Sequence, residues 1–387
     1  MGPSLLSKGQ EAPAPLPSGS RHGHSVRTVV FVLNRTIAAA VLLALAAGIF
    51  CAGRASGDRR AVDRARSTAA FAALQRYFAP AGGPVYTDDY PASGSSSAWS
   101  FSQALAATVT LAHADRSYRT ALRSELRLLR YYQRGNGYTP YPSGGSVYLD
   151  DNEWLGQDLV AAYRVLGARW TLDRAEQIFR LVTQAWDRNT HDACAGGVFW
   201  THDPSNSDRN TVSTANGALL ALDLYRETRA SRYLTWAQTM YAWVNRCLAR
   251  PDGLYADHLS RSGVVDPAEW SYNQGAMIAV AAGLYAATGK QRYRAEANGI
   301  AATALARFEP SNFAGEPSVF VAIFFRDLER LAKVSPAVAY KDAAQHYADS
   351  RWSTVRDPST GLFHAKGSAA TLLDQAAVVE LYAQLSD

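Results

Sequence analysis

The strongest constraint on how this chain can fold is a repeat. Leu224, Tyr225, Thr228, Arg232, Tyr233 and Ala237 recur as Leu284, Tyr285, Thr288, Arg292, Tyr293 and Ala297, with an offset of 60 at all six positions. Trp99-Ser-Phe-Ser-Gln103 is echoed by Trp270-Ser-Tyr-Asn-Gln274. A fixed period marks a chain built from one supersecondary unit, which buries its apolar surface by stacking on copies of itself. The unit is helical. From residue 60 onward the apolar spacing follows the 3.6-residue period, and strand-like alternation is nearly absent.

That spacing predicts twelve helices, over 60–78, 98–113, 117–134, 151–166, 171–187, 211–228, 232–249, 271–287, 292–307, 315–333, 338–354 and 371–385. Two kinds alternate. In one, polar and aromatic residues lead into small apolar ones, as in Ser102–Ala112, Ser213–Leu222 and Ala276–Ala287. Apolar residues all round a helix predict burial on every side. In the other, arginines mark one face, as in Tyr118–Tyr132, Leu172–Trp186, Tyr233–Leu248 and Tyr293–Leu305. A buried helix, a short turn and an outer helix therefore make the unit, and six units close an all-α (α/α)6 barrel of six inner and six outer helices. A solenoid also repeats, but it leaves a long concave face. Closure puts every inner-helix start at one end. Trp99–Gln103, Tyr148–Trp154, Ser213–Asn216, Trp270–Gln274 and Leu373–Gln375 then converge on one funnel, where aromatic faces stack on sugar rings and amides and carboxylates take hydroxyls.

Composition supports such a fold. Of 387 residues, 48% are hydrophobic and 19% charged, which is ample for a core. The cationic excess of 39 to 34 is local. Residues 1–60 hold seven basic side chains against Glu11 and Asp58, and the remainder balances at 32 against 32. Nucleic-acid binding needs a concentrated cationic surplus, so no nucleic-acid partner is expected. Segment 1–35, rich in Pro, Ser and Gly over 9–25, is expected to be a disordered basic stretch. Residues 36–55 read as a signal peptide or membrane anchor. The uncharged run 36–52 suits either, and small residues permit cleavage after Ala55. Both options put the domain at 60–387 outside the cytoplasm, secreted or anchored at the surface of a bacterium. A Cys194–Cys247 disulfide is allowed there, the alternative being two buried thiols.

The segment Tyr148-Leu-Asp-Asp-Asn-Glu-Trp154 carries the chemistry. Asp150 and Asp151 sit at a helix start, where Asp is also a favoured cap and Asp150-x-x-Glu153 has capping-box spacing. Two close carboxyls cannot both ionise easily, so one pKa falls and the other rises. Glycoside hydrolysis uses that split, with one carboxylate attacking and one protonated acid donating. Trp99, Trp154, Trp200 and Tyr272 are candidates to line a sugar cleft, and Asn216, Asn273 and Gln274 to bind hydroxyls. Each also has a plainer role in packing or capping. The Thr201–Thr211 loop, with Asp203, Asn206, Asp208 and Asn210, lacks the spacing of a calcium loop and reads as a solvated loop beside the cleft. His191, Cys194 and His202 match no zinc set. No metal or cofactor is expected.

Tyr-x-Asp-Asp-x-x-Trp at a helix start resembles the signature of glycoside hydrolase family 76, the endo-α-1,6-mannanases. Gly196-Gly-Val-Phe-Trp200, Ser213-Thr-Ala-Asn-Gly217 and Tyr272-Asn-Gln-Gly275 resemble three further family segments in the same order, over about residues 65–385. The resemblance implies the same (α/α)6 fold and a retaining hydrolase of internal α-1,6-mannosidic bonds in mannan-type cell-wall polysaccharide. It implies Asp150 as nucleophile and Asp151 as general acid/base. A transglycosylase using the same site and a non-catalytic carbohydrate-binding barrel are the alternatives. A monomer is expected.

Overall fold

The computed structural model describes residues 58–386, apart from 80–83, 92–93, 336–339 and 366. The segments 1–35 and 36–55 lie outside the described residues. Twelve α-helices are present among those described: α1 (58–78), α2 (Ala98–Ala114), α3 (Arg119–Leu128), α4 (Leu149–Leu166), α5 (Arg169–Gln184), α6 (Thr211–Thr228), α7 (Ser231–Cys247), α8 (Ser271–Thr288), α9 (Gln291–Phe308), α10 (Ser318–Ala332), α11 (Tyr340–Thr354) and α12 (Leu372–Leu385). None of the described helices is long and apolar enough to cross a membrane.

The even-numbered helices form the inner ring. Each packs on the next, and α12 packs on α2, which closes the circle. Closure explains the composition of these helices. Every residue of α6 from Thr211 to Leu224 is buried, so only small or apolar side chains fit on all sides. At Gly275 an added Cβ would lie 3.0 Å from the Phe324 backbone, so α8 and α10 touch where a side chain is missing. The odd-numbered helices bury one face and turn most of their arginines outward, Arg174 of α5 being buried against the hairpin at Gly135–Tyr138. In α5, Leu172, Ala175, Ile178, Phe179 and Val182 point inward at three- and four-residue steps.

Inner helices α4, α6 and α8 stop at left-handed residues Gly167, Arg229 and Gly289, and the outer partner begins two residues later. These short turns define the base of the barrel. The chain enters at the base as well. Gln375 Nε2 donates to Ala70 O, Ser67 Oγ to Val379 O and Arg66 Nη1 to Tyr382 Oη, so α1 runs antiparallel to α12 and begins beside its C-terminal end.

Longer connections cross the opposite end, and their strands are short. β1 (Asp89–Tyr90) pairs with β7 (Ala370–Thr371), and β2 (Gln133–Arg134) with β3 (Gly137–Tyr138). A three-stranded antiparallel sheet holds β4 (Asp208–Asn210), β5 (His258–Ser260) and β6 (Val265–Asp266). The helix expected over 117–134 is shorter than its spacing suggested. It ends at Leu128 in a 3-10 turn, and a hairpin through Gly135 (φ 53) takes the chain toward the cleft.

Candidate active site

The starts of α2, α4, α6, α8 and α10 surround a cavity of about 630 Å³. Asp150, Asp151, Trp99, Trp154, Trp200 and Tyr272 all line it. Trp99 and Trp154 face each other with ring centres 6.0 Å apart, and the Arg326 guanidinium lies over Trp154 at 4.9 Å. Tyr272 packs on Phe320 at 4.2 Å on another wall. Trp200 and Tyr141 stand partly exposed among the lining residues.

Neither aspartate caps α4. The cap is Tyr148, with no side-chain cap bond, and the helix proper starts at Leu149. Pairing with the Gly-Gly-aromatic turn sets this start. Leu149 N donates to Trp200 O at 2.8 Å and His202 N to Val147 O at 3.0 Å. The same pairing brings Trp200 Nε1 to donate to Asp150 Oδ2 at 3.0 Å. Glu153, the other half of the expected capping box, is fully buried and points toward Gly217 of α6.

Burial pushes the Asp150 carboxyl up to about 6, against the pull of the Trp200 donor and the first-turn amides, with a small upward push from Asp257. Burial pushes Asp151 well above the usual carboxylate range, and the Asp150 charge pushes it further. Only Asp150 of the two receives an indole donor, so Asp150 ionises first and Asp151 keeps the proton.

The three-stranded sheet forms a further wall of the cavity. Asn210, His258 and Asp266 sit in one register row. Asp257 Oδ2 lies 2.9 Å from His258 Nδ1, and Asp208, Asn210, Asp257 and His258 line the cavity. Asp257, His258 and Asp266 bring ligand-type atoms within 4.8 Å of one another. Such groups also accept sugar hydroxyls, and the arrangement carries no metal assignment.

Three expected hydroxyl binders are placed elsewhere. Asn216 is fully buried, donating to Val212 O and accepting from Gln157 Nε2. Gln274 is fully buried and holds Tyr255 at both backbone groups, accepting from its N–H at 2.9 Å and donating to its carbonyl at 3.0 Å. Asn273 is also buried and donates to Asp257 Oδ1 at 3.0 Å, so it orients a lining residue without reaching the cavity. Buried polar groups beside them claim these amides first: a connection's backbone takes Gln274, a carbonyl of its own helix and the Gln157 amide take Asn216, and the Asp257 carboxylate takes Asn273.

Residues 61–381 match glycosyl hydrolase family 76. The chain belongs to that family. Family 76 relatives with curated names include the mannan endo-1,6-alpha-mannosidase DCW1 of Saccharomyces cerevisiae, 33% identical over 174 residues, which are 40% of this chain and 37% of that protein. The DCW1 protein of Candida albicans is 32% identical over 185 residues, 42% of this chain and 39% of its own length. These alignments thus span under half of the yeast proteins. Among solved structures, the family 76 mannosidase Bt3792 of Bacteroides thetaiotaomicron superposes with a TM-score of 0.77 at 23% identity, covering 84% of this chain and 98% of that one. An inactive α-1,6-mannanase of Salegentibacter sp. HEL1_6, with two consecutive aspartates changed to asparagine and α-1,6-mannotriose bound, superposes at 0.72 with 19% identity over 83% and 98%. Both share the barrel.

Sequence reasoning passed over Asp257, His258, Tyr141 and Phe320, and it left Asp208 and Asn210 in a solvated loop. A second echo could have pointed to Asp257. Gly197-Val-Phe, Gly253-Leu-Tyr and Gly361-Leu-Phe each follow an outer helix and bury Val198, Leu254, Tyr255, Leu362 and Phe363. Trp200 follows the first of these turns directly, and Asp257 follows the second after Ala256.

Proposed function

We propose that the chain is a retaining glycosidase that cuts internal α-1,6-mannosidic bonds by double displacement. The observation that carries this reading is two consecutive carboxyls on the wall of one cavity, where burial raises Asp151 further than Asp150 and only Asp150 receives an indole donor. Asp150 attacks the anomeric carbon while Asp151 protonates the departing oxygen. Asp151, now ionised, then takes a proton from water as it attacks the glycosyl ester, and Asp150 leaves as the carboxylate. The cavity walls suit the substrate class. Trp99, Trp154, Trp200 and Tyr272 offer ring faces, and Asp208, Asn210, Asp257 and His258 offer hydroxyl partners. The activities in the relatives' names point to α-1,6-mannan.

A location outside the cytoplasm fits the same reading. Cys194 and Cys247 form a disulfide, Cα–Cα 6.2 Å, of a kind that persists in oxidising compartments. The apolar run 36–52 supplies the export signal or anchor.

The test is digestion of linear α-1,6-mannan by wild type, Asp150→Asn and Asp151→Asn. Wild type releases short oligomers from chain interiors, while both variants retain mannan binding and lose release. Release by either variant at the wild-type rate would overturn the assignment. Longer products built from added mannotriose would indicate transfer in place of hydrolysis.

A further inference from the structure

The fold sorts charge along the barrel axis. The base segments 58–64, 113–119, 164–173, 226–232, 286–294 and 329–342 carry 16 Arg or Lys against seven Asp or Glu. The described residues of the stretches at the cleft end, 79–97, 129–151, 185–211, 248–271, 309–318 and 355–372, carry seven against 15. A domain with balanced charge is thus basic below and acidic around its cleft.

Helix dipoles explain only part of this. Cations suit the C-terminal ends of the inner helices. They do not suit the first turns of outer helices, yet Arg169, Arg232 and Arg292 stand there, and α5, α7 and α9 have no acid in their first turns. Arg229 holds a left-handed φ of 57 where its counterparts are Gly167 and Gly289, so a charged side chain is kept where glycine would fit with less strain.

Two further features share this end. Trp170, beside Arg169, is 50% exposed, and Val62 in the first turn of α1 is 46% exposed. A cavity of about 440 Å³ is lined by Arg164, Arg226, Arg229, Arg326, Arg330 and Lys333 together with Asp223 and Glu329, the last paired with Lys333 at 3.3 Å. Asp223 pairs with Arg164 and Arg330, whereas Arg226 and Arg229 form no ion pair among the described residues. The chain also reaches the barrel here, a few residues after the apolar run 36–52.

We infer that the base of the barrel docks on an anionic lipid bilayer, with Trp170 seated among the headgroups and the Arg226–Arg229–Lys333 cavity receiving a headgroup phosphate. Arginine and lysine near an anionic leaflet are attracted within a Debye length, and indoles favour the interface. The acidic cleft end is repelled, so the cleft faces outward. This orientation holds whether or not residues 36–52 remain attached, and it does not depend on the sugar chemistry.

The test uses residues 58–387, which hold all twelve helices and the closed ring, so that the basic and apolar N-terminal segments do not contribute. Co-sedimentation with phosphatidylcholine vesicles is compared with and without phosphatidylglycerol. Binding is expected only with phosphatidylglycerol, with release as salt rises. Arg226→Glu/Arg229→Glu/Lys333→Glu should weaken it by roughly tenfold or more, and Trp170→Ser by severalfold. The cleft-end control Arg134→Glu/Arg188→Glu/Arg356→Glu should leave it unchanged. Circular dichroism verifies that each variant folds, and Trp170→Ser still decides the matter if the triple change does not. Binding independent of phosphatidylglycerol, no binding at low salt, or equal loss in the control would overturn the inference. Capture by an anionic wall polymer with no vesicle binding would overturn it too. No readout involves hydrolysis, so failure here leaves the proposed activity separately testable.

Discussion

At the scale of single residues, the aspartate pair works through unequal surroundings. Asp150 must be charged to attack, so kcat/KM should rise with pH through about 6 as it ionises. It should fall again at higher pH as Asp151 loses its proton. Trp200→Phe keeps an aromatic wall but removes the donor to Asp150. The acidic limb should then move up by about one to two units, because a hydrogen bond to a charged group contributes about 1.5–3 kcal/mol. An unmoved limb would separate Trp200 from the nucleophile. The same burial costs stability. With an unfolded value near 3.8 and a folded one of about 6, the folded state binds the extra proton between those values, so stability falls as pH rises across that window and stays low above it. Asp150→Asn should therefore stabilise the fold by on the order of 2 kcal/mol at pH 7 while activity drops by at least about a thousandfold. Denaturant unfolding at pH 4 and pH 7 checks the sign, since the gain should shrink toward pH 4. The adjacent pair was legible in the sequence because its spacing is local. Its competition with capping was not, because Tyr148 becomes the cap through pairing with Trp200, 52 residues away.

At the scale of elements, the inner-helix starts carry a recurring device. Asn152 holds the backbone of Tyr138, Gln274 that of Tyr255, and Gln375 the N–H of Phe363. Each clamp fixes a connection at the cleft end, and the Tyr255 clamp lies two residues before Asp257. Gln274→Leu leaves the two backbone groups of Tyr255 buried without a partner. It should cost about 2–4 kcal/mol in urea unfolding and raise KM more than it lowers kcat, because Asp257 shifts while the aspartate pair stays. A change confined to kcat would contradict the clamp. Helix identity and order were readable from periodicity, and most boundaries agree within three residues. The exception at 117–134 marks where a hairpin replaces helix. The amides were misassigned as sugar ligands because a helix-start glutamine reads the same whether its partner is a hydroxyl or a peptide group.

At the scale of the molecule, closure of the ring fixes where everything else sits. The repeat was enough to give the toroid, since six stacked units leave no free edge. The wall carrying Trp200 and Asp208 has its own brace. Buried Arg209 donates to Asp187 and to the carbonyls of Ala193, Cys194, Gly196 and Ser260, and the Cys194–Cys247 bond ties this loop to α7. A disulfide closing 53 residues contributes about 4 kcal/mol at most on loop entropy. Cys194→Ser/Cys247→Ser should lower stability by about 2–4 kcal/mol in guanidinium unfolding, and unchanged stability would show that Arg209 alone suffices. The sorting of charge was invisible in the linear sequence, because the six basic turns are scattered and only the fold gathers them.

The central claim is that Asp150 forms a covalent glycosyl intermediate while Asp151 supplies and then removes a proton. The most direct measurement is proton NMR of the first reducing ends released from linear α-1,6-mannan, before mutarotation. Double displacement predicts the α-anomer, retained from the substrate. Initial release of the β-anomer would mean direct attack by water and would contradict it.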